Sequence, residues 1–237
     1  MYTDAQTMNP TIFYWVIFIA IAIASWVVSS SLKKKFREYS NIPTEGGLTG
    51  AQVAEKMLRD QDIYDVKVSC IEGQLTDHYN PQTKVVNLSR DVYYGANVAS
   101  AAVAAHECGH AVQHAHAYFW LTMRSQLVPV VSFASRWVMW VLLVGMFLIN
   151  TFPSLLLIGI ILFAATTLFS FITLPVEIDA SRRALVWLQG HSITSSYSQE
   201  KAQSALRAAA YTYVVAALSS LATLLYYVMI YLGGRRD

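Results

Sequence analysis

The chain has 237 residues, of which 55% are hydrophobic and only 14% charged. Soluble domains carry roughly 25% charged residues, so a large part of this chain is expected to face lipid. The net charge of +2, without a basic patch flanked by aromatic residues, argues against a nucleic-acid partner. The two cysteines, Cys70 and Cys108, exclude a disulfide framework.

Residues 1–10 hold one charge, Asp4, and are expected to form an external tail. Residues 11–32 are uncharged and long enough to cross a hydrocarbon core of about 30 Å, which makes them a first transmembrane span. Lys33-Lys34-Lys35-Phe36-Arg37 follow at once. A secretory signal would carry its positive charge before the apolar run, so the segment reads as an anchor. The positive-inside rule puts its basic end in the cytoplasm.

Residues 33–129 are expected to form a small cytoplasmic α+β unit. Leu48 to Ile63 has a helical pattern behind a Thr49-x-x-Gln52 capping box. Val66, Val68 and Cys70 alternate as in a strand. A further strand over Gly73 to His78, a turn at Asn80 to Thr83 and a strand over Lys84 to Leu88 form a predicted hairpin. Such an edge strand can pair with an extended peptide backbone; an ordinary hairpin is the alternative. From Asn97 to Ala105 a run of helix formers without proline or glycine leads into the chain's most informative stretch.

Beyond it lie two apolar stretches, taken as spans at 130–151 and 152–174, with a tight hairpin at Thr151-Phe152-Pro153. Arg136 lies in the first and either snorkels to the interface or marks a polar contact within the membrane. Residues 175–210 form a second cytoplasmic segment, 211–232 a fourth span that continues a helix begun near Ser198, and 233–237 a tail. The arginines of that tail, Arg235 and Arg236, weigh against this orientation, but the basic residues at the cytoplasmic ends outnumber them. The expected fold class is a multi-pass α-helical membrane protein with a small cytoplasmic α+β unit that, because it carries His106-Glu107-Cys108-Gly109-His110, is expected to be zincin-like and catalytic.

The informative stretch is His106-Glu107-Cys108-Gly109-His110, the HExxH pattern of zinc hydrolases. Two histidines four apart on a helix project from one face and reach a single tetrahedral metal. The glutamate between them serves as general base toward water. Two surface histidines on an alanine-rich helix are the bland alternative, but small residues packed around three polar ones suit a buried helix. Cys108 points roughly the other way and reads as a small core residue.

A catalytic zinc takes three protein ligands and leaves one position open. His116 has metzincin spacing, but that geometry needs a sharp turn where glycine normally sits, and the position is Gln113. Glu177 is the stronger third ligand. Two spans separate it from His110, so the chain returns to the same face. Pairing with Arg182 or Arg183 is its alternative role. Asp179 is a candidate to hydrogen-bond a ligand histidine. His78, His191, Tyr211 and Arg182 are candidate transition-state donors by type, each with a structural alternative. Tyr211 and Tyr213 suit interfacial anchoring, and His114 suits a polar role near the motif.

Three segments, Leu75-Thr76-Asp77-His78-Tyr79-Asn80-Pro81, Val103 to Ala111 and Leu174 to Ala184, resemble bacterial neutral zinc metallopeptidases of the YugP type. The resemblance covers nearly the whole chain. It implies a multi-pass membrane endopeptidase of the bacterial plasma membrane, with one catalytic zinc and His106, His110 and Glu177 as ligands. The placement of the site near membrane ends, rather than the resemblance, points to membrane proteins or unfolded chains as its polypeptide substrates. Wider relatives of the HtpX kind carry an aspartate four residues after the glutamate. Here that position is Ser181 and the nearest acid is Asp179, which leaves open the residue that orients a ligand histidine. Oligomeric state is not legible. Two rival readings remain: a non-catalytic scaffold stapled by zinc, and an intramembrane protease of the site-2 kind, whose LDG motif this chain lacks.

Overall fold

Local sequence chemistry sets several of the element boundaries. The structure is a computed structural model that describes residues 10–233. The tails expected at 1–10 and 233–237 lie, apart from Pro10 and Gly233, outside the described residues. Helix α1 (Pro10–Tyr39) carries the first apolar run and the basic cluster on one continuous helix. Helix α2 (Gly50–Asp60) begins with the predicted capping box: the Thr49 hydroxyl accepts the Gln52 N–H at 3.3 Å, and the Gln52 side chain accepts the Thr49 N–H at 2.9 Å.

Strands β1 (Lys67–Ile71), β2 (His78–Asn80) and β3 (Val85–Ser89) form one sheet in the order β1-β3-β2. β1 runs parallel to β3 and β2 antiparallel to it, with Tyr79 opposite Val86. The hairpin is present, but its first strand begins at His78 rather than Gly73. Gly73 at φ 105° and Leu75 at φ 56° bend the preceding residues out of extended conformation. Asp77 then holds the loop to β3, its carboxylate accepting the Ser89 N–H at 2.7 Å and hydroxyl at 3.0 Å.

After the short α3 (Arg90–Tyr94), helix α4 (Val98–Ala115) is capped by Asn97, whose side-chain oxygen accepts the Ser100 N–H at 2.9 Å. Helix α5 (Phe119–Phe147) starts well before residue 130 and runs through Pro129. α6 (Pro153–Gly190) and α7 (Ser196–Gly233) likewise extend their apolar stretches into polar ones. The helices α1, α5, α6 and α7 are long and apolar enough to cross a membrane.

The chain divides into two units. Of the described residues, the first comprises 10–28, 129–170 and 214–233. Here α5 and α6 meet at glycines: a Cβ on Gly145 would lie 2.7 Å from the Leu156 backbone, and the Leu142 side chain covers Gly159. Close approach through small residues is how apolar helices associate in lipid, where burial gives no drive. Thr167 and Ser220 join α6 to α7 by a 2.7 Å hydrogen bond.

The second unit comprises residues 29–128 and 171–213. Its core is built around α4, which is buried on nearly every face, Ala101, Ala102, Ala104 and Ala105 completely. A helix of that kind belongs inside a protein. Val53 and Met57 of α2, Val86 and Leu88 of β3, and Trp187 and Leu188 of α6 pack into the same cluster. Cys108 faces this core with its thiol 3.5 Å from the Ala54 carbonyl. Burial pushes that thiol well above its ordinary pKa, with the Glu107 charge adding to the effect, so Cys108 acts as a packing residue.

Candidate metal centre

The α4 helix sets His106 and His110 one turn apart, their ring centroids 4.8 Å from each other. Both turn Nε2 toward one oxygen of Glu177: His106 at 3.3 Å and His110 at 3.6 Å from Oε2. Glu177 comes from α6, which can approach α4 this closely because residue 109 has no side chain. A Cβ there would stand 2.6 Å from the Ala180 carbonyl oxygen. One donor atom from each of the three residues falls within 4.8 Å of the others. Two imidazoles and a carboxylate are a donor set that suits zinc, and it leaves a coordination position open.

The far side of each ring is also occupied. His106 Nδ1 lies 3.1 Å from the Ser181 hydroxyl. His110 Nδ1 lies 3.0 Å from Oε1 of Gln113. The Gln113 amide nitrogen donates to the Val176 carbonyl at 2.8 Å and to Asp179 Oδ2 at 2.9 Å. With its nitrogen so engaged, Gln113 presents an acceptor to His110, which must carry its proton on Nδ1 and keep Nε2 for a cation. Asp179 is held in turn by Arg183 at 2.6 Å. The two histidines are thus oriented in different ways. Ser181 addresses His106 directly, and Asp179 reaches His110 only through Gln113. Burial disfavours a charged His110, but the neighbouring Glu177 and Glu107 carboxylates outweigh it and raise its pKa.

Glu107 lies beside this group without joining it. Its Oε2 accepts the Tyr79 backbone N–H at 3.0 Å, which ties it to the edge strand β2. A cavity of about 790 Å³ opens here, with His106, Glu107, His110 and Glu177 on one wall, residues 77–82 on another, and Leu121, Ser125 and Val128 of α5 on a third.

Two side chains of this cavity were not legible as site residues. Arg124 of α5 approaches Glu177 Oε1 at 3.4 Å. Tyr213 lines the same cavity as Glu177. Tyr211 and Tyr213 look alike in the sequence, and only the rotation of α7 brings the second to the site.

The remaining sequence candidates are dispersed. His78 borders the cavity, but its ring nitrogens meet the Thr76 carbonyl at 2.8 Å and the Asn87 amide at 3.2 Å. His114 also borders it, 2.8 Å from the Tyr79 hydroxyl. His116 follows the last turn of α4 and is exposed. Arg182 is exposed. His191, just beyond the C-terminal end of α6, stacks on Trp187 and faces Asp60 at 3.3 Å.

Residues 14–232 match the family described as "Putative neutral zinc metallopeptidase". The chain is 41% identical over 226 residues to a Bacillus subtilis (strain 168) protein described as "Putative membrane protease YugP", a span covering 95% of this chain and 99% of that protein. No solved structure matches it. Matched from its first apolar helix to its last, the chain belongs to this zinc metallopeptidase family.

Proposed function

We propose that the chain is a multi-pass membrane zinc endopeptidase that hydrolyses peptide bonds at the cytoplasmic face of the bacterial plasma membrane. His106, His110 and Glu177 are the metal ligands and Glu107 is the general base. Residues 33–129 and 175–210 together form its zincin-like catalytic unit. The observation that carries this reading is the convergence of two Nε2 atoms and one carboxylate oxygen beside a second, separately held carboxylate. A purely structural zinc site would use four closed ligands and have no need of Glu107.

When bound there, zinc supplies Lewis-acid polarisation of a carbonyl and makes water more acidic. Glu107, steadied by the Tyr79 N–H, accepts a proton from the attacking water and returns it to the departing amine. The Tyr213 phenol donates to the oxygen that gains charge as the carbonyl becomes tetrahedral. Arg124 supports the Glu177 carboxylate from its other oxygen. An extended polypeptide running beside β2 would bring its backbone past these groups. Membrane proteins and unfolded chains near the bilayer are the substrates this setting favours.

The purified, zinc-loaded protein is expected to cleave an unfolded polypeptide, to stop when a chelator strips the metal, and to recover on stoichiometric zinc. Cleavage that survives complete metal removal would overturn the reading. For the orientation, a cysteine at Gln82 should react with an impermeant thiol reagent in inside-out vesicles and not in intact cells.

Two residues give graded tests. Tyr213→Phe should lower kcat about 10²-fold with KM little changed, because the phenol acts on charge that develops only during reaction. Gln113→Leu removes the acceptor for His110 Nδ1 and should weaken zinc affinity about 10- to 100-fold in a chelator competition. Unchanged affinity would mean that Gln113 serves packing alone.

A further inference from the structure

The basic cluster at the end of α1 does not act as a block. Lys35 donates to Ser204 at 2.5 Å. Lys33 and Arg37, one turn apart, instead line a cavity of about 700 Å³. Lys34 is not part of its wall. Among the described residues, the ion pairs include neither Lys33 nor Arg37. Across the cavity stand Asp91, whose carboxylate accepts a 3.4 Å hydrogen bond from Gln74, and Asn97, whose oxygen is committed to capping α4. The open cavity is thus lined by two exposed cations together with one exposed acidic acceptor and an amide donor.

Its depth along α1 indicates what would enter it. The apolar residues 11–32 rise about 33 Å at helical pitch, close to the hydrocarbon thickness of a bilayer. Lys33 and Arg37 therefore emerge where lipid phosphates lie, and basic side chains at that level attract them. We propose that this cavity binds the headgroup of a membrane phospholipid. The phosphate sits between Lys33 and Arg37, and a hydroxyl or ammonium of the headgroup donates to Asp91. A choline headgroup offers no such donor.

The test uses the full chain in detergent and native mass spectrometry with phosphatidylglycerol, phosphatidylcholine or inorganic phosphate added. Phosphatidylglycerol should be retained at one molecule per chain, and phosphatidylcholine should not. The K33Q/R37Q variant should lose retention about tenfold or more, whereas K34Q/K67Q, which removes two charges outside the cavity, should keep it. Equal retention by K33Q/R37Q, equal loss in K34Q/K67Q, or equal retention of phosphatidylcholine would each overturn the proposal. Displacement of the lipid by inorganic phosphate at millimolar concentration would overturn its lipid source and leave a phosphate site. A circular-dichroism melt of each variant guards against loss through misfolding: in a variant that melts with the parent, a change in retention reports on the cavity itself.

Discussion

Glu107→Gln should abolish polypeptide hydrolysis while leaving zinc content unchanged. The substitution keeps the size of the side chain and its acceptor toward the Tyr79 N–H, but removes the ability to take a proton. Loss of a positioned general base costs about 10²- to 10⁴-fold in rate, enough to bring turnover to background. The two proteins should be compared at matched metal content, measured by elemental analysis. Cleavage by the parent and none by the variant is the expected pair. Cleavage by both would trace the activity to another protein or to a different base, and silence in both would leave the zinc-stapled scaffold as the better account.

Gly109→Ala should both destabilise the protein and loosen its hold on zinc. The added Cβ would lie 2.6 Å from the Ala180 carbonyl oxygen and 3.1 Å from the Ala180 Cα. These are backbone atoms, which cannot rotate aside, so α4 and α6 must part by several tenths of an ångström. Overpacking of this kind costs about 1–3 kcal/mol. Because Glu177 belongs to the α6 turn before Ala180, the same displacement widens the 3.3 Å and 3.6 Å separations from the two histidines. The expected result is a lower melting temperature in detergent together with weaker zinc retention. Gly190→Ala is the comparator, since a Cβ there meets nothing within 4 Å, and it should melt at or slightly above the parent. Equal behaviour of the two variants would mean that the helices are not in contact at Gly109.

The helical spacing of His106, Glu107 and His110 carries its own geometry, since residues four apart on any helix share a face. That part of the centre follows from sequence spacing alone. The capping of α2, the strand alternation of β1 and the apolar runs were legible for the same reason: each rests on residues adjacent in sequence, whose local preferences are read directly. Glu177 was reached by counting spans and by the resemblance of Leu174 to Ala184 to a known family, and the step from spans to a shared site assumed packing. That assumption rests physically on Gly109, a residue whose importance is invisible until Ala180 is seen against it.

What the chain alone determined was the class of protein and the identity of its chemistry-bearing motif. Tertiary structure decided which of several equivalent side chains serve that motif. It brought Tyr213 rather than Tyr211 to the cavity, put Arg124 on Glu177, and routed Asp179 to His110 through Gln113. These choices depend on the rotation of long helices about their axes. A shift of one residue turns a side chain through roughly 100°, and nothing local to a uniformly apolar helix fixes that angle. Only contact with a neighbouring helix does.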